Sequence, residues 1–189
     1  MMHIFRSIIA LFRREFQITF RNYSDIFNIL IFFLLAILIF VFSVGTNNEI
    51  FNEIGIGIIW TLILLSNTLS SRKFFQDDFE SNNIILFHIG GLSYELIVII
   101  KIIAIWIFFQ IPFFLVIPIA SILLNVEFVN MKMIFISFLI GSPIITCIAS
   151  ISGSMNLLNK KNFTIGSLII MIFSIPIIIF AVNLTNISP

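Results

Sequence analysis

The residues of this chain that could carry chemistry are few, and the densest group of them is acidic. Asp77, Asp78 and Glu80 lie close together in the sequence. Carboxylates can exchange protons or bind cations, but adjacent aspartates are not how a catalytic pair is usually built. The two histidines, His3 and His88, lie far apart, and neither has a convincing second ligand nearby. We therefore predict no catalytic residue, no metal site and no directly bound cofactor.

The chain also lacks the sequence features of a membrane protein that hydrolyses ATP or is driven by protons or voltage. It contains no glycine-rich phosphate-binding loop of the GxxxxGKS/T type, so we do not expect it to hydrolyse ATP. No charged side chain lies deep within an apolar run, which argues against a proton-coupled carrier or a voltage sensor. The net charge of +1 gives no sign of nucleic-acid binding, and the single cysteine, Cys147, excludes a disulfide framework. These features predict a non-catalytic subunit whose energy source lies in another protein.

The elements that hold these residues are dictated by hydrophobicity. Of the 189 residues, 60% are hydrophobic and 10% charged, and a soluble domain would need far more polar surface. A bilayer core about 30 Å thick requires about 20 apolar residues of helix. Helices are favoured because no run alternates like a barrel strand. We predict an all-α polytopic membrane protein, a single domain over 1–189, with transmembrane helices at 27–44, 54–69, 102–124, 133–151 and 163–182.

The lysines and arginines indicate the direction in which the chain enters the membrane. All ten basic residues except Lys132 fall in segments that successive spans place on one side, or at the membrane face where the third span begins. Cytoplasmic loops carry such an excess of Lys and Arg. We expect the N-terminus in the cytoplasm (or mitochondrial matrix) and the C-terminus, after five spans, on the other side. The basic residues on the N-terminal side are Arg6, Arg13, Arg14, Arg21, Arg72, Lys73, Lys101, Lys160 and Lys161.

Residues 3–22, before the first span, have the pattern of an amphipathic helix. Apolar residues recur at three- and four-residue spacing, while polar residues occupy the other face. Such a helix lies flat in the membrane interface, with its arginines toward lipid phosphates. Two interpretations stay open: a positive anchor that fixes topology, or a helix with a mechanical role. The apolar set is Phe5, Ile8, Ile9, Phe12 and Phe16, and the polar set is Arg6, Arg13, Gln17 and Arg21.

The polar segment 72–95, between the second and third spans, is predicted to be a cytoplasmic loop. It combines acidic residues with aromatic residues that we expect to be exposed, a combination typical of a docking surface for a cytosolic partner. A solvated loop whose phenylalanines dip into the interface is an equally open interpretation. Gly90 and Gly91 should end any helix there. The candidate docking residues are Phe74, Phe75, Asp77, Asp78, Phe79 and Glu80.

The third and fourth spans contain features that should shape the helix bundle. Pro112 and Pro118 each remove a backbone hydrogen bond, so we expect kinks in the third span. Gln110 is expected to make a helix–helix hydrogen bond rather than a substrate contact. In the fourth span, small residues at four-residue spacing predict first a packing face and second part of a polar lining. That row is Ser142, Thr146, Ser150 and Ser154, with Gly153 beside it.

These residues, in this order, resemble a known family. An interfacial helix, two spans, an acidic loop and Lys101 at the start of a proline-bent span resemble the ABC-2 type exporter permeases. Within that group the chain is similar to the cytochrome c maturation B (CcmB) family over about residues 6–181. The stretches that carry the resemblance are Gly57-Ile-Ile-Trp60, Leu62–Ser66, Phe75-Gln-Asp-Asp78, Lys101 with Trp106, Ile111-Pro112, Ile117-Pro118 and Leu139–Pro143.

The resemblance implies a permease that works in a complex. Its partners would be a separate cytosolic ABC ATPase, which hydrolyses ATP, and a haem-handling membrane subunit, with a homodimer or hetero-oligomer expected. The complex rather than this subunit would handle haem. The ATPase would dock on about Phe74–Ile89, with Asp77 and Asp78 at the family's acidic pair. The location implied is the inner membrane of a bacterium or a mitochondrion.

The chain departs from the family pattern in several places. Asn82 and Ile85 stand where the family commonly has glycine and glutamate, and Gly91 stands near a usual proline. The family's sixth span is also missing, so we expect that the sequence is truncated, that the lineage lost the helix, or that a partner supplies it. Two other functions stay open from the residues themselves: a stand-alone small-solute channel or transporter, and a structural membrane assembly factor.

Overall fold

The computed structural model describes residues 2–21, 23–45, 48–71, 73–158 and 164–186. The described residues form helices and contain no strand. The basic residues Arg72, Lys160 and Lys161, and Phe163 at the start of the predicted fifth span, lie outside the described residues. The helices are α1 (Met2–Arg21), α2 (Tyr23–Val44), α3 (Asn48–Ser70), α4 (Lys73–Glu80), α5 (Asn83–Ile89), α6 (Tyr94–Ile105), α7 (Ile111–Leu123), α8 (Phe128–Leu158) and α9 (Thr164–Asn186).

Within the described part of the chain, five segments are long and apolar enough to cross a membrane, judged by length and composition alone. The all-α polytopic fold class predicted from the sequence is therefore confirmed. Some of these segments extend beyond the predicted runs because polar residues at a helix end lower local hydropathy without ending the helix. The candidate spans are Tyr23–Val44, Ile54–Glu80, Tyr94–Leu123, Asn130–Leu157 and Gly166–Leu184.

The segment predicted as a loop, 72–95, is largely helical. α4 and α5 occupy most of it, and α6 already begins at Tyr94, where the Ser93 hydroxyl accepts a hydrogen bond from the Leu96 amide at 3.4 Å. The predicted glycine stop is present: α5 ends at Ile89, and Gly91 has a φ of +91°, a conformation that favours glycine.

The third span is continuous but irregular. A π-helical turn, Trp106–Gln110, joins α6 to α7. Because the helix runs on from this turn into α7, the missing amide protons of Pro112, near the start of α7, and of Pro118, inside it, each leave a carbonyl of the preceding turn without its helical donor. The irregularity therefore begins before Pro112, and the kink predicted at each proline stays a prediction.

Large aromatic side chains from four helices meet in the centre of the bundle. Phe33 (α2), Trp60 (α3), Phe113 (α7) and Phe138 (α8) are almost completely buried. The rings of Phe33 and Phe113 meet edge to face at 5.3 Å between centroids. Outward faces of the long helices carry exposed apolar residues such as Phe180, which suits a surface bathed in lipid. This core fixes the spans to which α1 and the short helices α4 and α5 attach.

Candidate coupling site

The short helix α4 has one buried and one exposed face. Phe74, Phe75 and Asp78, at the spacing of one helical turn, are buried, so the prediction that Phe74 and Phe75 are exposed is wrong. Asp77 and Phe79 are exposed, and Phe79 keeps 42% of its surface. Phe74 and Phe75 turn inward because the end of α3 and the span helices offer them apolar neighbours, among them Leu64, Ile105, Ala149 and Ile170.

The two adjacent aspartates therefore lie in different environments. Asp77 is solvent-exposed, whereas Asp78 keeps only 4% of its surface and is held by charged partners. Of the six candidate docking residues, Asp77, Phe79 and Glu80 are exposed. Asp78 belongs to the interior and is removed from the exposed surface that the sequence suggested.

Asp78 lies in a cluster of four charged side chains from three helices. Its Oδ1 accepts a hydrogen bond from Arg14 Nη2 at 2.7 Å, and its Oδ2 is paired with Lys101 Nζ. Lys101 Nζ also lies 3.2 Å from Glu15 Oε2, and Arg14 Nη1 lies 2.9 Å from Glu15 Oε1. We call these residues, Arg14, Glu15, Asp78 and Lys101, the charge cluster. It ties the helices α1 and α4 to α6, the first part of the third span.

The charge cluster is balanced and shielded, which explains how its charges can be buried. Two cations face two anions, so no charge is left uncompensated. The Asn83 amide donates a further hydrogen bond to Asp78 Oδ1 at 3.1 Å. Lys101 Nζ lies 5.6 Å from the centre of the Phe75 ring, and Arg14 lies 5.0 Å from that of Phe87.

A cavity of about 360 Å³ opens beside the charge cluster. An ion pair between Lys73 and Asp25 stands at its edge and is far more exposed than the cluster itself. The described residues contain no group of three or more His, Cys, Asp or Glu side chains that could hold a metal ion. The remaining lining residues of the cavity are Glu15, Ile18, Thr19, Phe74, Gln76, Asp77, Asp78, Lys101, Ile105 and Phe109.

Aromatic and close backbone contacts connect α4 to the membrane spans. The Phe74 ring meets the Phe109 ring at 5.1 Å, and Phe109 belongs to the π-helical turn. Gly153 of α8 lies against the end of α3: a Cβ atom added there would stand 2.3 Å from the Ser71 carbonyl oxygen. α4 therefore contacts the third span directly through Phe74, and the residue just after α3 contacts the fourth span.

A second polar cluster lies inside the bundle. Gln110 Nε2 donates to Asn67 Oδ1 at 2.5 Å and to Thr146 Oγ1 at 3.1 Å, so α3, the π-helical turn and α8 are joined. The predicted helix–helix role of Gln110 is confirmed by these bonds. The Trp106 indole donates to the Ser142 hydroxyl at 3.0 Å, which adds a second contact between the π-helical turn and α8.

The small-residue row of α8 is mostly a packing face. Ser142, Thr146, Ser150 and Gly153 are buried. Ser154 is exposed and donates to the Ile151 carbonyl oxygen at 2.8 Å, so within this chain it is not part of that face. At 3.6 residues per turn, each four-residue step moves about 40° around the helix axis, so the last member of the row lies about 120° from the first.

Three members of the charge cluster were not chosen as site residues from the sequence. Lys101 served to orient the chain and to support the family resemblance, Arg14 served only to orient the chain, and Glu15 was not singled out. Two features of the sequence could have indicated these residues. Lys101 is a charged residue two turns inside an apolar helix, and Glu15 follows the apolar Leu11 by four residues. Leu11 and Glu15 are both buried, on one face of α1.

The fold and this site define an all-helical polytopic membrane protein. Its amphipathic helix α4, between two spans, is held to α1 and α6 by buried ion pairs. Comparison with known proteins makes this more specific. A family model described as "CcmB protein" matches residues 6–188. The chain belongs to the CcmB family, which confirms the resemblance seen in the sequence.

Relatives named heme exporter protein B match this chain over most of their own length. Heme exporter protein B of Haemophilus influenzae is 31% identical over 173 residues, which cover 92% of this chain and 78% of that protein. Heme exporter protein B of Pseudomonas aeruginosa is 25% identical over 179 residues, covering 95% and 79%. The protein of the same name from Rhodobacter capsulatus is 27% identical over 177 residues, covering 94% and 81%.

Proposed function

We propose that this chain is the membrane permease subunit of an ABC-type complex that delivers haem for cytochrome c maturation. Family membership supports the haem-related role, because relatives carry the name heme exporter protein B. The proposal that this chain transmits motion rests on the two faces of α4. Its outer face is exposed, whereas Asp78 on its inner face ties it to α1 and α6. The chain itself carries out no catalysis.

In this proposal a separate cytosolic ATPase docks on the exposed face of α4. Asp77, Phe79 and Glu80 supply an aromatic contact framed by negative charge, a combination suited to a groove with basic residues at its rim. ATP is bound and hydrolysed in that partner. A second membrane subunit handles haem, and the complex resides in the bacterial inner membrane with the N-terminus of this chain in the cytoplasm.

The charge cluster then transmits motion from α4 to the spans. Buried, charge-assisted bonds are short and directional, so α4, α1 and the start of α6 move together rather than sliding past one another. Phe74 adds a path through Phe109 to the π-helical turn. Such turns lie frequently at functional positions in helices, where the backbone ladder is already irregular.

The docking step is tested by reversing the exposed charge. Asp77→Lys should lower co-purification of the ATPase by about tenfold or more, because a like charge then faces the partner's basic rim. The matched control is Glu127→Lys, the same reversal at an exposed position between α7 and α8, which should recover the ATPase at the wild-type yield. Equal recovery with Asp77→Lys would refute docking on this face.

The transmission step requires a different variant. Asp78→Asn keeps the exposed face of α4 and removes one charge from the cluster. The ATPase should still co-purify, while ATP-dependent assembly of c-type cytochromes should fall. Thermal unfolding of the purified variant separates lost transmission from lost folding. If assembly stays at the wild-type level although the cluster is broken, the charge cluster does not transmit motion.

A further inference from the structure

α1 and α6 enclose a groove with an entirely apolar surface. Its volume is about 360 Å³, within the range of roughly 300–1,000 Å³ typical of pockets that hold small molecules. The one charged residue in its wall, Arg13, contributes only apolar surface, so its aliphatic stem rather than its guanidinium faces the groove. The other lining residues are Ile8, Ile9, Phe12, Phe16, Ile100 and Ile103.

Arg13 leaves its charge available at the edge of this groove. Its neighbour Arg14 is engaged by Glu15 and Asp78 in the charge cluster. Arg13, by contrast, is exposed, and no carboxylate in the described part of the chain pairs with it. An apolar groove with an unpaired guanidinium at its edge complements a molecule that has a hydrocarbon chain and a negatively charged headgroup.

We propose that this groove binds one anionic phospholipid. The acyl chain lies between α1 and α6, and the phosphate pairs with Arg13. The amphipathic pattern of α1 places its arginines at the depth of lipid headgroups and its apolar face at the upper part of the acyl chains, so the ligand is present at high concentration. Bound there, the lipid packs against Phe16, whose ring meets Phe108 of the π-helical turn at 5.3 Å.

This site is independent of the proposed transport function, since it depends on membrane lipid and not on the ATPase or haem. The full chain can be purified in detergent from membranes containing phosphatidylglycerol and phosphatidylcholine, and retained lipid counted by native mass spectrometry. The wild type should retain one phosphatidylglycerol in preference to phosphatidylcholine. Equal retention of the two lipids would overturn the proposal.

The headgroup contact is tested by Arg13→Gln. One basic residue near an anionic lipid surface contributes enough binding energy for about a fivefold change in occupancy, so retention of phosphatidylglycerol should fall by about that factor. The control, Arg21→Gln, removes the same charge from the exposed last turn of α1, away from the groove, and should retain the lipid. An equal loss from both variants would mean diffuse attraction to the whole helix and would overturn the site.

The acyl-chain contact is tested by filling the groove. Ile103→Phe should displace the lipid, whereas Ile99→Phe, one turn away on α6 and exposed, should leave it bound. Retention of the lipid by Ile103→Phe would overturn the proposed position. A change in oligomeric state with Ile103→Phe, without loss of lipid, would instead assign the groove to a second copy of this chain.

Discussion

At the scale of residues, two lysine–aspartate pairs in this chain differ in burial. The pair between Lys101 and Asp78 has side chains only 3% and 5% exposed, whereas that between Lys73 and Asp25 has side chains 55% and 30% exposed. Exposed pairs contribute little to stability, because water screens them and ordering two long side chains loses entropy. Removing one partner of a buried pair leaves the other charge uncompensated in a medium that solvates it poorly.

Replacing each lysine with methionine should separate the two cases. Lys101→Met should lower the free energy of unfolding by about 3–5 kcal/mol, because Asp78 and Glu15 lose their shared cation. Lys73→Met, the matched control, should change it by less than about 1 kcal/mol. Unfolding of the purified proteins in detergent measures both. Similar losses for the two variants would contradict the burial assigned to the charge cluster.

A second substitution should restore part of the loss. In Lys101→Met with Asp78→Leu, neither charge of the Lys101–Asp78 pair remains, while Arg14 and Glu15 still pair at 2.9 Å. Replacing a buried ion pair by apolar residues is often close to neutral. The double variant should therefore be more stable than Lys101→Met alone, and a double-mutant cycle gives the coupling between the positions.

The sequence singled out the acidic pair but did not show that its two members lie in different environments. Treated as a loop, the segment suggested that Asp77 and Asp78 were equivalent. Treated as a helix, the spacing of Phe74, Phe75 and Asp78 marks one face, so the information was present. The partners of Asp78 come from α1 and α6, far away in sequence, and no local pattern specifies that pairing.

At the scale of elements, α8 approaches the end of α3 so closely that only glycine fits. A Cβ atom at position 153 would lie 2.3 Å from the Ser71 carbonyl oxygen, and a backbone atom cannot swing aside as a flexible side chain can. Small residues permit this close approach between membrane helices, where packing rather than hydrophobic exclusion drives association. Gly57 in α3 has no atom within 4 Å of such a Cβ.

Alanine at these two glycines should therefore have opposite effects. Gly153→Ala should lower the free energy of unfolding by about 1–3 kcal/mol, the usual range for overpacking a close contact. Gly57→Ala should leave it unchanged or raise it by up to about 1 kcal/mol, because alanine restricts the unfolded chain more than glycine does. Thermal unfolding in detergent measures both. If Gly153→Ala is as stable as Gly57→Ala, the close approach of α8 to Ser71 is incorrect.

Hydropathy predicted the membrane-spanning helices because each must be apolar over about 20 residues to cross a bilayer. The mean hydropathy of a sequence window measures that property directly. The short elements depend on neighbours instead. α4 is too short to be stable by itself, and its helix is held by the burial of Phe74 and Phe75 against the spans. Gln110, at the end of the π-helical turn, likewise reaches two other helices, and the sequence of one span cannot specify such contacts.

At the scale of the whole molecule, the proposed function requires one orientation. Docking on α4 by a cytosolic ATPase places the loop between α4 and α5 in the cytoplasm, and the loop between α7 and α8, one span later, on the other side. The asymmetry of the lysines and arginines favours the same orientation. Cysteine labelling can test it, because the only native cysteine, Cys147, can first be replaced by serine.

A single cysteine should react from one side of the membrane only. In the Cys147→Ser background, Ser81→Cys between α4 and α5 should be labelled by a membrane-impermeant maleimide only after the cytoplasmic side is opened. Glu127→Cys, just before α8, should be labelled in intact cells. Both positions are exposed, so low reactivity cannot be attributed to burial. Labelling of Ser81→Cys in intact cells would reverse the orientation, and with it the side from which an ATPase could reach α4.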